Sequence, residues 1–104
     1  MSPPATLLVW FHLRSPELAA DFERLMARDR DIILGGVGTV SDWRLTRPVD
    51  VPGEPTDQAD YVLIAEIVDL GRWERQASEL VQRLAEGFAH LVSSRRMLVV
   101  RSVL

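Results

Sequence analysis

The chain has 104 residues, of which 47% are hydrophobic and 26% are charged, and its net charge is −3. This composition predicts one folded domain over residues 1–104, and the acidic balance argues against nucleic-acid or membrane partners. There is no cysteine, which excludes disulfides, thiolate catalysis and cysteine-bound metals. Because there is neither a signal peptide nor an apolar run near the roughly 20 residues of a membrane span, we expect a cytoplasmic protein.

The first predicted element is a strand over residues 6–14, and its two faces differ in chemistry. Odd-numbered positions are purely apolar and are expected to meet helices: Leu7, Val9, Phe11 and Leu13. The opposite face carries Leu8, Trp10, His12 and Arg14, so it holds all the polar atoms of the strand. Because of these polar atoms, we expect the second face to contact a more selective partner than the apolar side of a helix.

A helix is predicted to begin after Ser15, which is a favourable N-cap, with Pro16 at its first position. An apolar stripe at helical spacing supports it, and we expect the helix to fray near residues 29–31. The glycine-rich stretch at residues 35–38 is interpreted as a C-cap and turn. It lacks the spacing of a phosphate-binding loop.

A second strand is predicted over residues 39–47 and a mobile loop over residues 48–60, which contain three prolines and four acidic residues. The central strand covers residues 61–69 and is nearly continuous apolar sequence, typical of a strand covered on both faces. Glu66 interrupts this run. An ionised carboxylate at such a position needs a partner or a changed affinity for protons.

Asp69 is predicted to cap a second helix over residues 70–93, whose apolar residues repeat at intervals of three and four. A last strand is predicted over residues 97–104. The order β-α-β-β-α-β indicates a ferredoxin-like α+β fold. Its four-stranded antiparallel sheet should have strands one and three at the centre and both helices on one face.

The face without helices is too apolar to contact water, so we expect a second copy of the chain to pack against it. The two sheets would form a dimeric α+β barrel, a homodimer that holds small and mostly apolar ligands between them.

The chain resembles the small REDY-like proteins of prodiginine pigment pathways, within the dimeric α+β barrel superfamily. The resemblance is carried by Phe22-Glu23, an acidic position at Asp29 or Asp31, Val40-Ser41-Asp42-Trp43-Arg44, and Tyr61 to Ile67 followed by Asp69-Leu70 and Trp73-Glu74. It implies a dimeric barrel that works in secondary metabolism, where such proteins are associated with building the bipyrrole half of the pigment. The sequence departs from that pattern at Gly35-Gly36, which affects the expected entrance to the site.

Two side chains are candidates for acid–base catalysis. His12 would shuttle a proton if its imidazole ring reaches the barrel, although a structural histidine is the alternative. Glu66 would serve as a general acid or base, and its alternative is an ion pair with Arg44 or Arg101. The two share a face only if the strand register permits, since a slip of one residue reverses every side chain.

Candidate ligand-binding residues are aromatic or cationic. Trp10, Trp43 and Tyr61 would stack a planar ligand, and ordinary packing is the alternative. Arg44 and Arg101 would bind a carboxylate or phenolate, and salt bridges are the alternative. The acidic residues at 29 and 31 are interpreted as solvated charges. We expect no metal and no cofactor, because two histidines without cysteine leave few strong ligands.

The function favoured by these residues is a cofactor-free enzyme acting on a small aromatic or polyketide-like intermediate by dehydration, cyclisation or isomerisation. A non-catalytic protein that binds or shields such an intermediate is the alternative. A cofactor-free monooxygenase is less favoured, because only the superfamily suggests it.

Overall fold

The protein is described by a computed structural model over residues 3–36, 38–54 and 59–104. Its elements, in chain order, are β1 (Ala5–Leu13), a 3-10 turn (Pro16–Leu18), α1 (Ala19–Gly36), β2 (Val40–Thr46), β3 (Tyr61–Ile67), α2 (Leu70–Phe88) and β4 (Val92–Val100). The predicted β-α-β-β-α-β order is confirmed. Neither helix has the length and apolar character to cross a membrane, within the described residues.

The four strands form one antiparallel sheet in the order β2-β3-β1-β4. The two central strands are therefore β1 and β3, as the crossover rule predicts for a ferredoxin-like fold. In the register, Leu7 is opposite Ala65 on β3 and Val99 on β4. This pairing fixes which side chains share a face.

Both helices pack on the face that carries Leu7, Val9 and Phe11, as predicted from the apolar side of β1. Phe11 lies at the centre of this core. Its ring makes edge-to-face contacts with Phe22 of α1 at 5.1 Å and Phe88 of α2 at 5.5 Å between centroids. Edge-to-face pairs of this kind add about 0.5–1.5 kcal/mol beyond the burial of their area.

Helix α1 continues to Gly36, so the predicted fraying near residues 29–31 is wrong. The reason is packing, because Ile33 is fully buried and Leu34 is half-buried beyond that point. Their burial stabilises two further turns of helix. The predicted C-cap and turn at residues 35–38 includes Val37, which lies outside the described residues.

The end of the chain also differs from the prediction. Helix α2 ends at Phe88, and β4 begins at Val92, five residues before the predicted start. A short turn closes the helix, where the Leu91 N–H donates to the Phe88 carbonyl at 3.0 Å. Arg101 consequently lies beyond the strand and is exposed. The cap at Asp69 is confirmed, since its carboxylate accepts from the Arg72 N–H at 3.1 Å.

The connection between β2 and β3 contains a turn in which the Glu54 N–H donates to the Val51 carbonyl at 3.0 Å. Its central residues are Pro52 and Gly53, and Gly53 has a φ of 84°. That is the type II arrangement, which needs a positive φ at its third position. Part of the predicted mobile loop, residues 55–58, lies outside the described residues.

Candidate functional site

The sheet face without helices, called the open face here, carries the even-numbered side chains of β1. It includes Thr6, Leu8, Trp10 and His12 of β1, Val62, Ile64 and Glu66 of β3, and Arg96 and Leu98 of β4. His12 and Glu66 therefore share this face.

The structure does not bring these two candidate catalytic residues together within one protomer. Glu66 is opposite Thr6, whose hydroxyl donates to Glu66 Oε2 at 2.9 Å. His12 is six residues further along β1, which corresponds to roughly 20 Å of strand. Its ring Nδ1 lies 3.0 Å from the Ser94 hydroxyl. Each residue is thus engaged with a local hydroxyl partner, at opposite ends of the open face.

The predicted cationic binding residues have different surroundings. Arg44 on β2 pairs with Asp42 at 3.0 Å, so its contact is with its own strand and not with Glu66. On the same face, the Arg96 guanidinium lies 5.6 Å from the Trp10 ring centroid. This cation–π contact covers an aromatic surface that would otherwise face solvent.

Trp43 and Tyr61 lie on the helix-packed face, opposite to Trp10, so the three aromatic residues do not form one pocket. Tyr61 is buried, and its hydroxyl donates to Glu23 Oε2 at 2.5 Å and accepts from Arg47 at 2.9 Å. Burial and the hydrogen bond to Glu23 raise the pKa of Tyr61, while the bond from Arg47 opposes that rise.

Beside this network is an open polar cleft of about 410 Å³, at the end of the sheet where β1 stops and β3 starts. Its lining includes Arg47, Asp50, Asp60 and Tyr61. Asp60 is already used structurally, because its carboxylate accepts the Leu13 N–H at 2.7 Å. Arg47, Asp60 and Tyr61 in this cleft therefore already have hydrogen-bond partners within the protein.

A more enclosed site lies between α2 and the sheet, and we call it the α2 slot. Trp73 and Phe88 are buried near the two ends of α2, whereas Leu80, Val81 and Leu84 between them are only partly buried. The middle of the helix therefore leaves space above the sheet. The space measures about 30 Å³, and its apolar lining includes Val9, Phe11, Val81, Leu84, Phe88 and Met97.

Asp29 is a lining residue of the α2 slot and is only 1% exposed. The prediction that it is a solvated charge is wrong, whereas Asp31 is exposed as expected. Asp29 Oδ1 accepts a long hydrogen bond from Arg28 at 3.4 Å, and Oδ2 has no hydrogen-bond partner among the described residues. Burial raises the pKa of Asp29, and the neighbouring Arg28 opposes this only in part.

The lining has two further polar members, the exposed Arg95 of β4 and Trp43. The side chain of Trp43 is buried, and the indole Nε1 lacks a hydrogen-bond partner in the part of the chain that is described. Arg30, next to Asp29 on α1, donates from Nε to the Trp43 carbonyl at 3.2 Å. This bond joins α1 to β2 through Arg30, the chain neighbour of Asp29, and the backbone of Trp43.

The sequence contains a pattern that indicates burial of Asp29. The buried positions of α1 are Phe22, Met26, Asp29 and Ile33, spaced by four, three and four residues. Such spacing places all four on one helix face, directed at the sheet. Ending the helix near residue 29 concealed this, because Ile33 then fell outside the stripe.

The slot offers a mostly apolar surface with one buried carboxyl and one buried indole N–H, and the exposed Arg95 also lines it. A carboxyl with a raised pKa can exchange a proton with a bound molecule, and the indole can only donate a hydrogen bond. Within the described residues, no three His, Asp or Glu side chains come together as a metal site.

Comparison with solved structures defines the class of fold. A variant of SnoaB, a cofactor-independent oxygenase from Streptomyces nogalater, matches with a TM-score of 0.73 at 18% identity, over 99% of this chain and 96% of that one. A dabb family protein from Mesorhizobium loti matches at 0.71 and 14% identity, over 97% and 98%. A dimeric protein of unknown function from Bacteroides fragilis matches at 0.71 and 14%, over 95% and 96%. All three share the ferredoxin-like fold.

Comparison of the sequence with known families identifies one family within this class of fold. The family described as REDY-like protein HapK matches residues 5–103, and the chain belongs to it. The resemblance carried by the short motifs is thereby confirmed. No curated protein gives a significant match.

Proposed function

We propose that the protein binds a small, planar and largely apolar intermediate of secondary metabolism in the α2 slot and moves a proton on it without a cofactor. The observation that carries this proposal is an apolar cavity with one buried carboxyl, that of Asp29. Pockets with an apolar lining and a few polar groups are the usual form of small-molecule sites. Membership of the REDY-like family supports the metabolic context.

The chemistry is proton transfer, and it balances within the site. The Asp29 carboxylate takes a proton from an acidic C–H, N–H or O–H of the substrate, and the electron pair that is released moves into a conjugated carbonyl. The carboxyl then returns the proton to another atom of the same conjugated system. This is an isomerisation, and the same steps precede a cyclisation or a dehydration.

Ligand entry requires α2 to move. A cavity of about 30 Å³ suits a water molecule or two, not an aromatic ring. The partly buried middle of α2 and the 41% exposure of Met97 place the opening between α2 and β4. Helices held by few buried contacts open at low free-energy cost.

A second copy of the chain is proposed to cover the open face. Leu98 and Val100 are 44% and 38% exposed there, next to the half-buried Trp10. The Bacteroides fragilis relative is described as dimeric, which supports the same assembly here. His12, Glu66, Trp10 and Arg44 would then lie at or near the contact between sheets, where their proposed catalytic or binding roles depend on the partner subunit. Arg101 follows the last strand and would reach the edge of this contact.

Two other functions remain alternatives. A shielding protein would use the same slot without turnover. A cofactor-free oxygenase is suggested by SnoaB, although at 18% identity the likeness extends to the fold alone. Oxygen consumption with a bound substrate would favour the oxygenase, and ligand binding without a product would favour the shielding protein.

The test is binding of 2-acetylpyrrole, a planar and largely apolar probe with one conjugated carbonyl, measured by calorimetry. Val81→Trp fills the slot and should abolish binding, whereas Gln82→Trp adds the same ring to the exposed side of α2 and should leave binding unchanged. Equal binding by both variants would rule out the slot as the site. Asp29→Asn should keep the probe bound but abolish exchange of its carbon-bound hydrogens with deuterated water.

A further inference from the structure

Two buried polar atoms of the α2 slot lack a hydrogen-bond partner within the described residues: Asp29 Oδ2 and Trp43 Nε1. Asp29 is 1% exposed and Trp43 is 7% exposed, so bulk water reaches neither side chain freely. Leaving such a group unpaired costs about 1–3 kcal/mol, and more for a charged one. Both belong to the lining of one cavity, which indicates a shared occupant.

We propose that Trp43 and Asp29 together recognise a carbonyl group conjugated to a neighbouring N–H or O–H group on the ligand. This inference rests on the proposed function of the slot and specifies which ligands it selects. The carbonyl accepts from the Trp43 indole, and the N–H or O–H donates to the Asp29 carboxylate. The ligand class is therefore a planar lactam, acylpyrrole, enol or vinylogous acid, and not a plain hydrocarbon ring.

The hydrogen-bonding chemistry of Asp29 and Trp43 restricts which groups the ligand must carry. An indole N–H is a donor only, so its partner on the ligand must be an acceptor. A carboxylate is an acceptor only, so its partner must be a donor. Apart from the exposed Arg95, the remaining lining is apolar, so no other buried side chain of the slot offers a hydrogen bond to the ligand. A site with two such groups rejects an analogue that lacks either partner, because a buried polar atom is then left unpaired.

The same arrangement suits the proposed proton transfer. A hydrogen bond from Trp43 stabilises negative charge as it develops on the carbonyl oxygen, while Asp29 receives the proton from the adjacent group. Trp43 is therefore a residue that touches the reacting atoms and is not simply part of the core. A water molecule hydrogen-bonded to both atoms is the competing occupant, since the cavity is large enough for one.

The experiment compares three neutral ring compounds by titration of the full protein. The first, 2-pyridone, has the adjacent donor and acceptor, N-methyl-2-pyridone lacks the donor, and fluorobenzene has neither group. We expect 2-pyridone to bind about tenfold tighter than N-methyl-2-pyridone and on the order of 100-fold tighter than fluorobenzene, since each lost hydrogen bond changes affinity by roughly a factor of ten. 2-Pyridone and N-methyl-2-pyridone both carry the carbonyl and should shift the indole N–H signal of Trp43 in the NMR spectrum, whereas fluorobenzene should not.

Variants of Trp43 and Asp29 test whether these residues recognise polar groups of the ligand or only fill space in the core. Trp43→Phe should weaken binding of both pyridones, Asp29→Leu should remove the preference for 2-pyridone over N-methyl-2-pyridone, and both should leave fluorobenzene binding intact. Trp73→Phe changes another buried indole, one that does not line the slot, and serves as the matched control, with no effect on binding expected. Thermal melting of each variant checks that it remains folded.

The outcomes distinguish the two proposals. If all three compounds bind equally well, and the variants do not discriminate, water satisfies the two polar atoms and the recognition proposal is overturned while the slot remains a binding site. If fluorobenzene and 2-pyridone both fail to bind, the slot does not open, and the proposed function fails along with the inference.

Discussion

The hydroxyl of Thr6 on β1 donates a 2.9 Å hydrogen bond to the carboxylate of Glu66 on β3, directly across the two central strands. This contact gives the acidic residue of the central strand a neutral partner, and no arginine pairs with it among the described residues. It also anchors Glu66 at the end of the sheet remote from His12. A concerted acid–base pair inside one protomer is therefore excluded by distance.

The first prediction concerns this separation. In His12→Ala, Glu66→Gln and the double variant, we expect changes in unfolding free energy and in 2-acetylpyrrole affinity that add within about 0.5 kcal/mol, as for distant sites. Denaturant titration and calorimetry on all four proteins measure the cycle. A larger coupling would mean that the partner subunit brings the two residues together across the sheet contact.

Much of the fold could be predicted from local patterns. The alternation in β1 placed Phe11 towards the helices, and the order of elements identified the sheet centre. The ends of α1 and β4 could not be predicted, because burial of Ile33 and Val92 by distant parts of the chain decides where those elements stop and start. The secondary-structure propensities of nearby residues do not reflect such long-range contacts.

The site was harder to predict than the fold. The sequence drew attention to His12 and Glu66, since polar residues in apolar strands are conspicuous. Trp43 was identified as a ligand-binding candidate, but its face depended on a register that the sequence does not fix. Asp29 resembled an ordinary charge at a fraying end, and only the continuation of α1 places it on the buried stripe.

A second prediction tests whether the open face is a contact between copies. Leu98→Lys should weaken self-association on the order of 100-fold, because each copy would then bury an unpaired ammonium group. Val99→Lys is the matched control, since Val99 is its neighbour on β4, is 38% exposed and points to the opposite face. Sedimentation velocity over a concentration series measures the effect. Equal behaviour of the two variants would argue against the open face as the interface.

A third prediction uses the only tyrosine of the chain as a probe. Burial and the bond to Glu23 place the pKa of Tyr61 above its ordinary value of 10.0. Glu23→Gln removes a negative charge beside the phenol and should lower that pKa, whereas Arg47→Ala removes a stabilising cation and should raise it. Absorbance near 295 nm follows the titration directly.

The control for this titration is the same measurement in strong denaturant, where all three proteins should titrate alike. Shifts of the same sign in both variants would show that the two substitutions disturb the packing of Tyr61 and do not act through charge.

The last prediction concerns the cost of keeping Asp29 buried. Its folded-state pKa is raised, so the native state holds the proton more tightly than the unfolded chain does. The carboxyl therefore destabilises the fold at pH values above its folded pKa, and this penalty disappears as pH falls towards the ordinary value of 3.8.

Asp29→Asn should raise stability at pH 7 by on the order of 1 kcal/mol, or roughly 4–8 °C in Tm. The gain should shrink steadily with acidification, and Asp31→Asn, an exposed neighbour, should show none. Thermal melts from pH 7 to pH 4 measure both. A destabilised Asp29→Asn variant at pH 7 would mean that the contact with Arg28 outweighs burial, and Asp29 would then be a structural ion-pair partner instead of a group held ready for a ligand.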